Sequence, residues 1–464
     1  MQTTQKSGVE HLRHVIERMN IIARTTPDDA DTLTGHLKAL YTDFFGANFD
    51  NFDVLKVRQA APELLAGLQG AQQALRAAVA GWQQHGLMAR PVQTALRNLF
   101  RVSRYAHDIV GEIAHGHPRL EDGETTAPGF TGPPGFLEIS PAFADRPLDL
   151  EPGDVILERG MANNSAAIAR IGDVDSQFSH VAVVAAGEHG EPVIVESLIE
   201  EGAVITPLKK ALTHNLGRAV VLRYRDPYLA RRASELIRDH IRRFDGDTAP
   251  RILYDFSMEC RNYNELFCAN LVRMAYSMAT TADVQLPTFP TQLDAGSREF
   301  LDQIGVTAAE TFAPGDMELE SDFDVVAEWR DYRITSELRL KDMVMTKIFE
   351  WMELYGYRFQ PDTKINIAAN VGRFLSHMPD WVQEITRQWG GKVPPNMTDS
   401  AIAAVAMLHE TGELLYERLK PLEEASIARH GRQLHPREVL LQLDRWREEM
   451  GDEIGYLRLP EATS

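Results

Sequence analysis

Hydrophobic and polar positions divide the chain into three stretches with different periods. Leu12, Val15, Ile16, Met19 and Ile22 recur at three- and four-residue spacing and predict one apolar stripe of a helix. Residues 62–102 are rich in Ala, Leu and Gln, which are good helix formers. Residues 1–115 therefore read as a helical N-terminal region, a small bundle. Between 116 and 147, Gly116, Pro118, Gly123, Pro128, Gly129, Gly132, Pro133, Pro134 and Gly135 interrupt any long element and predict a linker. From 148 the runs shorten. Strands are predicted at 155–157, 180–185, 193–197, 203–206 and 219–224, with a turn at Gly187–Pro192. Helices follow at 228–244 and 267–278. This 148–310 segment reads as an α+β domain with a small antiparallel sheet.

From about 317 the period returns to helical. Leu338, Met345, Ile348, Met352 and Tyr355 share one face of a long segment. Further helices are predicted at 363–390, 398–420 and 435–450, with Gly390-Gly391 and Pro394-Pro395 marking a connection. The 311–464 stretch is read as a helical C-terminal region. Met343, Met345 and Met352 are read as core or packing surface rather than as a cofactor box.

Composition narrows the function classes. Apolar residues are 44% and charged residues 25% of the 464, the balance of a soluble globular protein. The formal charge of -19 argues against electrostatic binding to nucleic acid or anionic lipid. No stretch approaches the roughly 20 apolar residues of a membrane span. The polar start at Met1–Gly8 lacks the apolar core of a secretion signal, so a cytoplasmic protein is expected, with signal-less export as the alternative. Two cysteines, Cys260 and Cys268, cannot build a disulfide framework, and a bridge between them is disfavoured in a reducing compartment.

Those cysteines change the picture. Cys268 opens the helix-like run Leu271, Val272, Met274, Ala275, and a thiol at a helix start is in the usual setting of an activated nucleophile. His180 heads a strand-like run. If the Gly187–Pro192 turn joins two paired strands, an even-sum register puts His180 and Glu196 on one face, and a one-residue slip separates them. A carboxylate there would hold the imidazole's tautomer and stabilise its charged form. Cys260 is read as structural. His107, Asp108, Glu112, His115 and His117 have metal-ligand chemistry but are read as a solvated helix end. His409-Glu410 lacks the second histidine of a zincin motif.

Five pieces in order carry a resemblance: Leu150-Glu-Pro-Gly-Asp-Val-Ile-Leu157, Ser179-His-Val-Ala-Val-Val184, Val195-Glu-Ser197, Gly202-Ala-Val204 and Phe267-Cys-Ala-Asn-Leu-Val272. Over roughly 148–290 they resemble the circularly permuted papain-like NlpC hydrolases, the YiiX/YebB-like branch. That branch places histidine first, then an acidic residue, then cysteine. The resemblance implies a cysteine hydrolase with Cys268, His180 and Glu196 as the site. The bond attacked would be an amide, ester or thioester, with an amidase or peptidase activity favoured. Tyr254 and Asp255 resemble a Tyr-Asp pair of the family that shapes the substrate pocket or caps a turn, and Ser179 and Asn270 are assigned to the substrate pocket with them. The chain departs from the family's Tyr-Cys-Ser-Glu-Leu in having Phe267-Cys268-Ala269-Asn270-Leu271. The polar stretch Met161–Gln177 is expected to be a mobile loop of the site. No metal or organic cofactor is implied, and the expected substrates are a small peptide, an amide or an acyl lipid. A lipid hydrolase or acyltransferase on the same fold, or a silent module whose helical regions bind a protein partner, are the alternatives.

Overall fold

Each of the first helices buries the stripe its spacing predicts. The structure is a computed structural model, and it describes residues 8–46, 53–121, 124, 126, 130, 132–145, 147–213, 216–247, 249–280, 285–293, 298–360 and 394–460. Helix α1 (Gly8–Ala23) buries Val9, Leu12, Val15, Met19 and Ile22, with Ile16 half-buried at its edge. Helix α2 (Ala30–Gly46) follows. Helix α3 (Val54–Gln84) is capped by Asp53, whose carboxylate accepts from the backbone N–H groups of Leu55 and Lys56 at 3.1 and 3.2 Å. Helix α4 (Arg90–Ala114) carries Pro91 in its first turn, which suits it because the missing N–H would have no partner there. One core joins all four helices.

Seven antiparallel strands form the central sheet: β1 (Leu137–Ile139), β2 (Val155–Gly160), β3 (His180–Ala186), β4 (Pro192–Leu198), β5 (Gly202–Pro207), β6 (Leu216–Tyr224) and, after the short pair β7 (Thr291–Gln292) and β8 (Glu310–Thr311), β9 (Phe323–Arg330). Their order is β1-β9-β6-β2-β3-β4-β5. Helices α5 (Asn163–Ala169), α6 (Leu208–Ala211), α7 (Pro227–Arg242), α8 (Cys268–Ala279) and α9 (Arg298–Gln303) are interspersed. The middle strands are covered on both sides. Val155, Leu157, Val181, Val183, Val193 and Val195 pack with α7 and α8. Ile156, Ala182, Val184 and Ile194 pack with Phe136, Trp329 and Tyr332. Burial on both faces is why these strands read as continuous apolar runs instead of alternating ones.

The sheet reaches beyond the 148–310 span. Strand β1 comes from the Pro/Gly-rich stretch and pairs with β9, Leu137 opposite Trp329. Strand β9 lies in the stretch expected to be helical from 317, a correction to that reading. Its Asp324, Glu328 and Arg330 disguise a strand because Glu328 and Arg330 are buried as charges paired with each other, at 2.8 Å.

Helix α10 (Thr335–Tyr355) runs through the C-terminal core, with Met343, Met345, Ile348 and Met352 buried. Tyr355 is exposed instead of lying on the apolar face, and the Arg447 guanidinium sits 4.0 Å from its ring centre. The predicted 363–390 helix and the Gly390-Gly391 signal lie outside the described residues. The small strand β10 (Arg358–Phe359), helices α11 (Asp399–His430) and α12 (Pro436–Met450), and strands β11 (Glu453–Ile454) and β12 (Leu457–Arg458) complete the chain. Among the described residues no helix is long and apolar enough to cross a membrane.

His107, Asp108 and Glu112 of α4 are buried, contrary to the solvated end expected, and His115 and His117 just past the helix are half-buried. Asp108 takes Arg218 of β6 at 2.6 Å and Arg330 of β9 at 3.0 Å. Glu112 accepts from Arg339 of α10 at 2.8 and 3.1 Å, and Arg339 also meets Glu423 of α11 at 3.4 Å. His107 lies 3.2 Å from Glu138, His115 stacks on Tyr332, and His117 reaches the Gly431 carbonyl at 2.9 Å. The arginines on the facing elements account for the burial, since a buried carboxylate needs a cation beside it. Among the described residues no three His, Cys, Asp or Glu side chains are grouped to hold a metal ion.

Arg339→Met strands the buried carboxylates of Glu112 and Glu423. It is expected to lower stability by about 3–5 kcal/mol, read from the denaturant midpoint. A loss below about 1 kcal/mol would show that the ion network is dispensable.

Candidate active site

Strand pairing sets the site's geometry. The β3–β4 hairpin closes through Gly187–Glu191, where Gly190 adopts a φ of 86° that glycine accepts without strain. Val183 then faces Val195 and Ala185 faces Val193, an even-sum register. That parity puts His180 and Glu196 on one side of the sheet. His180 Nε2 lies 3.0 Å from Glu196 Oε2. The Cys268 thiol hydrogen-bonds the same imidazole. With Nε2 engaged by Glu196, Nδ1 is the nitrogen left for sulfur.

Cys268 is the first residue of α8. Phe267 before it is extended (φ -88°, ψ 165°) and supplies no side-chain cap to the helix's first amides. The approach to the helix is held by the backbone: Leu266 N–H donates to the Leu253 carbonyl at 3.0 Å, and the Ser197 hydroxyl donates to the Leu266 carbonyl. The far end of α8 is pinned as well, because Tyr276 donates its hydroxyl to the Gly153 carbonyl at 2.6 Å. Gly153 has φ 98°, and a Cβ there would meet the Ala230 backbone at 2.4 Å. Asp154 next to it receives Arg223 through two bonds of 2.8 and 2.7 Å. The Gly-Asp pair ahead of β2 is thus a steric and ionic anchor for the sheet against α7 and β6.

The electrostatics favour a charged imidazole. Burial alone would lower the His180 pKa. The hydrogen bonds to Cys268 and Glu196, and the negative charges of Cys268 and Glu158, outweigh it and hold the pKa well above the usual histidine range. The site is nearly closed: Cys268 is 4% exposed, and the side chains of His180 and Glu196 are 18% and 3% exposed.

Other sequence-selected residues surround this group in different ways. Tyr254 is buried, and burial, with the charges of Cys268, Asp255 and Glu200, keeps its phenol protonated far above the ordinary range. Asp255 caps a turn, accepting from the Ser257 N–H at 2.8 Å and hydroxyl at 2.6 Å. Asn270 faces the 259–265 loop and donates to the Asn262 carbonyl at 2.9 Å. Ser179 joins the ends of β2 and β3, its N–H donating to the Glu158 carbonyl at 2.9 Å. The Met161–Gln177 stretch is packed where a loop was expected: it contains α5, and Asn163, Asp175 and Gln177 are buried. Asn163 donates to Glu413 of α11 at 2.8 Å. Cys260 is free, as is Cys268, and lines a separate polar cavity of about 860 Å³ with Arg261, Arg273 and Glu310.

Two neighbours of the site escaped the sequence reading. Glu158 stands directly opposite His180 across β2 and β3. Its only signal was a carboxylate closing the apolar run Val155-Ile-Leu157. Asn396, from the C-terminal region, donates to the Tyr254 carbonyl at 2.7 Å and to Glu265 at 3.3 Å. No local pattern marks such a long-range contact.

Residues 149–317 match the family described as permuted papain-like amidase enzyme, YaeF/YiiX, C92 family. That segment is a permuted papain-like domain. The matched segment contains His180, Glu196 and Cys268, and the match supports a cysteine hydrolase in general. No curated protein and no solved structure matches the chain.

Glu196→Gln tests the electrostatics without touching the thiol. A histidine pKa raised on folding stabilises the protein fully below its unfolded value of about 6.5, and the benefit is lost as pH rises through the folded value. The variant should therefore be less stable than wild type by about 1–3 kcal/mol near pH 6, with the gap closing at alkaline pH. Thermal unfolding at several pH values measures this, and a pH-independent gap would refute it.

Proposed function

We propose that this permuted papain-like protein is a thiol amidase or peptidase that works through Cys268, His180 and Glu196. The observation that supports it most is an imidazole that meets the Glu196 carboxylate through Nε2 at 3.0 Å and also hydrogen-bonds the Cys268 thiol. That is the nucleophile–base–orienter arrangement of covalent acyl transfer.

In this reading, His180 Nδ1 takes the proton of the Cys268 thiol, and the sulfur attacks the carbonyl carbon of the scissile amide. The oxygen becomes an oxyanion, held by the Cys268 backbone N–H at the uncapped start of α8 and by the protonated Tyr254 hydroxyl. The imidazolium then gives its proton to the leaving nitrogen, the C–N bond breaks, and a thioester to Cys268 remains. His180 next takes a proton from water, the hydroxide attacks the thioester carbonyl, and the released sulfur regains its proton as the carboxylic acid departs. Glu196 keeps the ring in the tautomer that presents Nδ1 to sulfur and offsets the positive charge formed twice in the cycle. Cys268 is only 4% exposed, so in this reading a substrate reaches the thiol after a local opening of the site.

The test is acyl trapping. Purified protein is mixed with peptide-amide, ester and thioester donors and quenched in acid, and its intact mass is read. An acyl adduct on Cys268 that forms with amide donors and is absent in Cys268→Ser and His180→Ala is the expected result. Glu196→Gln should slow its formation by about 10²-fold. Adducts from ester or thioester donors alone would replace the amidase reading with an ester or lipid acyl hydrolase. No adduct from any donor, with Cys268 alkylated at the rate of an ordinary thiol, would overturn the catalytic reading.

A further inference from the structure

The imidazole of His180 faces two carboxyl groups, and the proposed mechanism uses one. Glu158 is the direct cross-strand partner of His180 on the β2 side, while Glu196 lies on the β4 side. Strand alternation therefore points all three side chains to the same face. Glu158 is 4% exposed, and its Oε1 atom has no hydrogen-bond partner. A carboxyl with such an atom is costly to bury, and a core side chain would serve the sheet better.

Its neighbours leave it little else to act on. On its other flank β2 pairs with β6, where Glu158 faces Ala219. Arg159, the next residue, turns its guanidinium to Asp342 at 2.5 Å. The 314–319 turn that packs against β2 carries Asp316 and Glu318, which are paired with Arg97 and Arg104. Helix α5, also against β2, has no titratable side chain. The titratable groups that act on Glu158 are thus His180 from β3 and Glu196 from β4.

We propose that Glu158 is a positioning residue for the proposed hydrolysis, a second carboxylate that stabilises the His180 imidazolium by charge across the strand pair while Glu196 holds the ring by a hydrogen bond. The inference rests on the Cys268–His180 reading above. Burial, opposed by the attraction of His180 and joined by the repulsion of Glu196, pushes the Glu158 pKa up to about 7. The group is therefore neutral in mildly acidic solution and becomes an anion as the pH passes neutrality. Its charge is present in the range where His180, whose own pKa lies well above 6.5, would otherwise begin to lose its proton. The second carboxylate thereby extends to higher pH the range in which an imidazolium is ready to protonate a leaving amine.

The experiment is an NMR titration of ¹³C-histidine-labelled full-length protein, with the His180 signal assigned by its loss in His180→Ala. Glu158→Gln is expected to lower the His180 midpoint by about one pH unit, a tenfold change in proton affinity. Glu158→Asp, which keeps the charge, should restore most of it. Glu158→Met, neutral and of similar length, repeats the test should the glutamine variant not fold. A His180 midpoint unchanged by the neutral substitutions overturns the role of Glu158. The underlying reading fails separately: if Cys268→Ser leaves the His180 midpoint where it was, the thiol and imidazole do not form a pair, whatever Glu158 does.

Discussion

A guanidinium taken out of water has to find its carboxylates, and here that requirement spans the whole chain. Asp108 of α4 holds arginines from β6 and β9. Glu112, one turn further on, holds Arg339 of α10, which also meets Glu423 of α11. Arg76 of α3 donates to three carbonyls of the 317–320 segment, and Arg97 of α4 reaches Asp316. Removing any one partner leaves a charge in a low-dielectric interior, which costs more than any surface contact returns. The N-terminal bundle and the C-terminal helices are therefore structural walls of the central sheet, joined to it by charge as well as by apolar burial.

The site inherits this rigidity. The strand that carries Glu158 lies between β3, with His180, and β6, whose Arg218 is committed to Asp108. The helix that begins at Cys268 is tied at its start through Leu266 and near its end through Tyr276. Groups that must stabilise transient charge do so best when they need not reorganise. Asn396 of the C-terminal region adds a further tie, donating to the carbonyl of Tyr254, which is buried in the same core cluster as Cys268.

Much of this was legible from the residues. The apolar stripe of α1, the short runs of β2 to β6, and the thiol at the start of α8 follow from period and local composition. So did the grouping of His180 with Glu196, once a hairpin was assumed. What escaped has common physical causes. Strand β9 carries buried charges whose partners lie far away in sequence, so its polarity looked like that of a surface. The acidic face of α4 misled for the same reason. Glu158 became meaningful only with the register of β2 against β3, which no local pattern states. The 161–177 stretch packs against partners far away in sequence, among them Glu413, which accepts from Asn163.

Strand parity also bears on how the chain can change. His180 and Glu196 share a side because an even number of steps separates each from the turn-proximal pairs of β3 and β4. A residue gained or lost in the Gly187–Glu191 turn can be absorbed by the loop. The same single insertion inside either strand would rotate one of the two groups to the opposite surface and leave the other behind, with no change in residue identity. Length variation among descendants of this sequence should therefore collect at the hairpin tip, while the seven-residue strands on either side keep their count.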